Sequence, residues 1–109
     1  MKMYTTPDQT AKLIELGFEK PKMAAPALKW VDGEPTFEPQ YTIGELIEML
    51  PKSIKVNDCD FSFTISGCSY NWLVEYNDIA FGEQASVCRT ELIDALFAEI
   101  VILKEEGVM

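Results

Sequence analysis

Between Phe61 and Tyr76 the sequence changes character residue by residue, and that alternation constrains the fold more than any other feature. In Phe61-Ser62-Phe63-Thr64-Ile65-Ser66 the large apolar residues fall on one side and the hydroxyl residues on the other, as the two-residue period of a strand requires. Gly67-Cys68-Ser69 has turn chemistry. In the run that follows, Tyr70, Trp72, Val74 and Tyr76 share one face, and Asn71, Leu73 and Glu75 share the other. The pattern predicts a β-hairpin. Asn77-Asp78 then turns the chain, and Ile79-Ala80-Phe81 offers a short third strand.

Stretches with a helical period flank this hairpin. Thr6-Pro7-Asp8-Gln9 carries a capping box and a proline suited to the first helical position, and Gly17 supplies a left-handed stop. The expected first helix covers residues 7–16, with Phe18 folding back onto its last turn. Thr42 and Glu45 form a second capping box. Ile43, Leu46, Ile47 and Leu50 then follow at i, i+3, i+4 and i+7, and Pro51 ends the helix. A third helix is expected from Ser86 or Thr90 to Glu106, stopped by Gly107. At 100° per residue, Leu92, Ile93, Leu96, Phe97, Ile100 and Leu103 cover an arc of about 140°. Ala95, Val101 and Ile102 lie outside that arc, so this helix has a second apolar side.

Residues 20–40 contain four prolines and are not helical. Ala27-Leu28-Lys29-Trp30-Val31 reads as a short strand, and Asp32-Gly33 as a two-residue hairpin turn. Glu34 to Pro39 is an edge strand or extended loop, because its prolines remove ladder donors. Both periods together, with an antiparallel hairpin, predict an α+β fold: two layers, with three helices packed on one face of a small antiparallel sheet. At 109 residues the chain is expected to form one domain, residues 1–109.

Composition removes several functions. Histidine is absent, so histidine-based catalysis is excluded. Residues 1–55 hold seven lysines against eight acids, for −1. Residues 56–109 hold Arg89 and Lys104 against ten acids, for −8. That second half repels phosphate, which argues against direct nucleic-acid binding and favours solubility or a basic partner. No stretch approaches the roughly 20 apolar residues of a membrane span. The opening Met1 to Pro7 lacks the apolar core of an export signal, so a cytoplasmic protein with reduced thiols is expected.

Thr5-Thr6-Pro7-Asp8-Gln9-Thr10-Ala11-Lys12-Leu13-Ile14-Glu15-Leu16-Gly17-Phe18 resembles the opening of a family of small uncharacterised proteins from gut anaerobic bacteria and their prophage-like elements. Tyr41 to Pro51 is similar to the family's middle segment, and Glu91 to Phe97 with Leu103 to Val108 to its close. The resemblance implies a bacterial or phage accessory protein in the cytoplasm. It carries no activity, ligand or catalytic residue.

Few residues invite chemistry. Cys59, Cys68 and Cys88 lie nine and twenty residues apart, unlike the close pairs of zinc sites, and read as small core residues. Cys88, beside Arg89 near the expected start of the third helix, is the one candidate nucleophile. Asp58 and Asp60 read as a solvated turn; Tyr70, Trp72 and Tyr76 read as a buried sheet face. No catalytic, cofactor-binding or metal-binding residue and no cofactor is therefore assigned. The expected function is that of a non-enzymatic interaction or regulatory protein with a protein partner, a homodimer being one form. Its candidate surface is Trp30 and Phe37 with Ala95, Val101 and Ile102. Two alternatives stand beside it. One is an acidic inhibitor that mimics nucleic acid, and the other is a small enzyme using carboxylates or Cys88.

Overall fold

The computed structural model describes residues 2–21, 24–78 and 82–109; for 24–31, 34–39, 68, 83 and 84 it describes the backbone alone. The elements run α1 (Pro7–Glu15), β1 (Ala24–Val31), β2 (Glu34–Pro39), α2 (Ile43–Met49), β3 (Ser53–Val56), β4 (Cys59–Cys68), β5 (Asn71–Asp78), β6 (Gly82–Arg89) and α3 (Leu92–Glu105). The fold class is α+β, with three helices and a four-stranded antiparallel sheet in the order β3-β4-β5-β6. β1 and β2 form a separate two-stranded ribbon.

Both capping boxes form as the sequence predicts. Thr6 accepts from the Gln9 amide at 3.1 Å while the Gln9 side chain accepts from the Thr6 amide at 3.0 Å. Thr42 and Glu45 repeat the exchange at 3.1 Å in each direction. At the end of α1, Gly17 takes φ +102°, which lets its amide reach Ile14 and the Phe18 amide reach Leu13. Those two bonds satisfy carbonyls the last turn would otherwise leave open. The two box-capped helix starts lie side by side: the Thr5 amide donates to the Tyr41 carbonyl and the Tyr41 amide to Thr5 Oγ1, both at 3.0 Å.

The β1–β2 turn falls at Asp32-Gly33, with φ +52° and +80°, the doubly positive geometry that suits a twisted two-residue hairpin. The sheet holds more strand than the sequence reading foresaw. Asn57 and Asp58, with φ +51° and +64°, make a second such turn between β3 and β4. β3 was missed because four residues ending in an Asn-Asp turn carry little periodic signal. The β4–β5 turn falls at Ser69-Tyr70, and Cys68 pairs with Asn71. Tyr70 is therefore 88% exposed at a turn and does not extend the stripe formed by Trp72, Val74 and Tyr76. Ile79-Ala80-Phe81, the expected third strand, lies outside the described residues.

Ser86 to Arg89 belongs to β6, and α3 begins only at Leu92. β6 carries one extra residue where its register against β5 passes from Val74↔Val87 to Tyr76↔Gln84, and Ala85 there takes φ +50°. Such a bulge bends an edge strand and spoils it as a template for pairing.

α3 packs on β5, β6 and α2. Leu92, Ile93, Leu96, Ile100 and Leu103 are buried as expected, but so are Ala95 and Glu99, both with no exposed surface. At 100° per residue the buried arc is turned by about 50° from the one read off the sequence, which leaves Phe97 at its partly exposed edge. Leu13 of α1, Tyr41 before α2, Leu46 and Leu50 of α2 and its cap, and Ile54, Phe61, Val74, Tyr76 and Val87 of the sheet join α3 in the core. Among the described residues, no helix is long and apolar enough to cross a membrane.

Candidate functional site

The residues singled out for chemistry do not converge. Cys59 opens β4 and is partly buried, while Cys88 lies exposed on β6, a sheet residue and not part of a helix start. Cys88 is thus not the small core residue expected of it. The side chain of Cys68 lies outside the described residues. Asp58 and Asp60 are exposed at and beside the β3–β4 turn, as the plainer reading had it. Among the described residues no cluster of three metal-ligating side chains occurs.

The expected interaction surface divides. Trp30 pairs with Pro35, and Phe37 with Leu28, across the β1–β2 ribbon, but their side chains lie outside the described residues. Val101 and Ile102 are partly exposed on α3, with Ile102 packed against the core. Ala95 is not part of any surface. It is fully buried because the rotation of α3 turns it toward the interior of its own chain.

Two other places concentrate polar groups. The first is a cleft of about 250 Å³ between the exit of α1 and the length of α2, lined by Phe18, Glu19, Lys20, Tyr41, Glu45, Glu48 and Met49. The stop at Gly17 turns Phe18 to Lys20 across α2, and the Tyr41 hydroxyl fixes this crossing by donating to the Glu19 carbonyl. Burial first, then the neighbouring Glu45 carboxylate, raises the Tyr41 pKa above that of an ordinary phenol, and acidic side chains outnumber basic ones in the lining. Beside it, Lys104 of α3 stands over the Phe18 ring, 5.3 Å from its centroid, a geometry in which an aromatic face attracts a cation. The sequence marks Glu45 and Phe18 only as helix punctuation and gives Tyr41 no role of its own; nothing in their spacing shows that a second segment crosses them.

The second place is inside. Among the described residues neither carboxylate oxygen of Glu99 has a hydrogen-bond partner, and Oε2 of the buried Glu75 on β5 has none. Glu75 Oε1 accepts from Asn77 Nδ2 at 3.2 Å. Burial first, then the charges of Glu106 and Glu75, push the Glu99 pKa up to about 8. Tyr76 alongside is also raised, by burial and then by Glu99, and its hydroxyl is committed to the Pro51 carbonyl at 2.7 Å. Sequence reasoning missed Glu99. Its signal was present in Ala95, Leu96 and Leu103, which flank it at i−4, i−3 and i+4.

Comparison with protein-family models, with curated proteins and with solved structures gives no match.

Proposed function

We propose that this chain is a non-enzymatic interaction protein of the regulatory or accessory kind, and that its protein partner presents a basic segment to the cleft between α1 and α2. The observation that carries the reading is the lining of that cleft: three glutamates against one lysine, beside the apolar surfaces of Phe18, Tyr41 and Met49. An arginine or lysine side chain matches such a lining, its stem on the rings and its charge among the carboxylates. The formal charge of −9 speeds encounter with a basic partner. Cys59, Cys88 and the Asp58/Asp60 pair are not among the described residues that line the cleft, which favours this reading over that of a small enzyme.

The layering expected from the sequence fits the proposal. The helices make one layer over one face of the sheet, as the packing of α3 on β5, β6 and α2 supports, and the cleft opens between α1 and α2 within that layer. A cytoplasmic place, in a bacterium or its prophage-like element, follows from the family resemblance of the three helical stretches. A nucleic-acid-binding protein is one kind of basic partner, and for it the acidic second half would act as the mimic. Direct nucleic-acid or membrane binding is not part of the reading.

Isothermal titration with an arginine-rich peptide tests it. Binding that weakens with added salt, and falls about tenfold in Glu45→Gln/Glu48→Gln, is the expected result. Glutamine at 45 keeps the capping box, so α2 survives the change. Absence of binding, or binding indifferent to both substitutions, would overturn the proposal. A second reading, self-association through Val101 and Ile102, draws on their partial exposure. Light scattering at micromolar concentration separates the two, since only this reading predicts a dimer that Ile102→Glu dissolves.

A further inference from the structure

Glu99 takes no part in the cleft, yet it is the least expected side chain in the core. It sits in the middle of α3 with no exposed surface, on the stripe that also carries Ala95, Ile102 and Glu106. α3 packs on β5, where Tyr76 is fully buried and Glu75, on the other face of the strand, is also buried. A buried anion without hydrogen bonds costs far more than a buried neutral acid, and a second carboxylate nearby adds repulsion.

Among the described residues the surroundings offer Glu99 no compensating charge or hydrogen bond. On α3 itself the acting charge is Glu106, and from β5 it is Glu75. Tyr76 of β5 already donates its hydroxyl hydrogen bond to the Pro51 carbonyl. From α2, Glu45 and Glu48 line the cleft; from β6, Cys88 and Arg89 are exposed, and Arg89 acts on Asp94. Among the described residues no lysine or arginine pairs with Glu99 or Glu75.

We propose that Glu99 is a proton-held latch between α3 and β5: the helix stays seated on the sheet while Glu99 carries a proton, and loosens when that proton passes to solvent. The ionised carboxylate then reaches water only by lifting its stripe of α3 from β5. The raised proton affinity of Glu99 is consistent with this and places the release in mildly alkaline solution. The latch is independent of the basic-partner reading, since none of its residues lines the cleft.

Carbon-13 titration of the glutamate carboxyls, together with amide hydrogen exchange along α3, tests the latch on the intact chain. Glu99 is expected to titrate last among the carboxyls. Protection of α3 amides, corrected for intrinsic exchange, should fall about tenfold or more between about pH 6 and about pH 9. Glu99→Gln should hold its protection across that range. The latch is overturned if Glu99 titrates with the surface carboxylates, if α3 is equally protected at both ends of the range, or if Glu99→Gln loses protection as the native chain does. Should Glu99→Gln not fold, the titration and exchange of the unaltered chain decide the question.

Discussion

α1 and α2 are specified by their ends, α3 by its middle. The two short helices carry complete capping boxes, yet each leaves an isoleucine of its apolar stripe in water: Ile14 is 38% exposed and Ile47 37%. α3 starts at Glu91 with no side-chain cap, and seven of its residues are buried. Local hydrogen bonds can mark where a helix begins, but they contribute about 1 kcal/mol each. Burial of a stripe such as that of α3 contributes several times more. The contrast predicts that damage to the middle of α3 outweighs any damage to the caps.

The largest effect should follow Leu96→Ala. Leu96 has no exposed surface and faces the sheet from the centre of the buried arc. Truncation there should cost about 2–5 kcal/mol in denaturant unfolding. Ile47→Ala on the open side of α2 should cost well under half as much, because part of its surface is already in water. Equal costs would break the contrast.

Glu99 follows in size and reverses the usual direction. Its pKa is about 8 in the folded chain against an ordinary 4.5. Through that window the native state holds a proton the unfolded state has released, so stability declines as pH rises, by at most roughly 1.4 kcal/mol per pH unit. Glu99→Gln should flatten this slope and unfold at higher urea than the unaltered chain at about pH 8. A profile that rises or stays level over the same window would show that the carboxyl is solvated after all.

The same division explains how much could be read from the letters. Thr6, Gln9, Thr42, Glu45, Asp32-Gly33 and both glycine stops act within a few residues of themselves, and each forms as the sequence predicts. β3 and β6 were not legible. Ser53-Ile54-Lys55-Val56 is too short for a period, and β6 breaks its alternation at the Ala85 bulge. The facing of α3 was misjudged by about 50° because a helix apolar on several sides has no sharp preferred direction; only the sheet beneath selects one. Ala95 and Glu99 went inside by that selection, and the cleft likewise depends on where the chain after Gly17 crosses α2.

Thr42→Ala isolates the value of an end signal. It removes the acceptor for the Glu45 amide and leaves Leu46 and Leu50 in place. A loss of about 1 kcal/mol is expected, with the fold retained. A loss comparable with that of Leu96→Ala would mean that the cap also supports the junction at Thr5 and Tyr41, where the two helix starts are bonded.

The smallest effect belongs to the uncapped start of α3, where distant residues bind the side chains of its first turn. The Lys2 ammonium bonds Asp94 at 2.7 Å, Gln9 Nε2 donates to the same oxygen at 2.8 Å, and the Lys2 amide donates to Glu91 at 2.9 Å. Burial works to raise the Asp94 pKa, but the bonds from Lys2 and Gln9 and the charges of Lys2 and Arg89 prevail and lower it. A lowered carboxyl contributes stability above its ordinary pKa and loses it as pH falls through the folded value. Asp94 therefore weakens α3 in acid, whereas Glu99 weakens it in alkali. Both side chains of the Lys2–Asp94 pair keep a third or so of their surface in water, so screening limits Lys2→Met to about 0.2–1 kcal/mol, less at high salt. Its signature is the side of the profile on which it acts. Lys2→Met should reduce stability at neutral pH and soften the acid limb while leaving the alkaline limb unchanged, because Glu99 owes nothing to Lys2. A change on both limbs would mean that the start and the middle of α3 do not respond to pH independently.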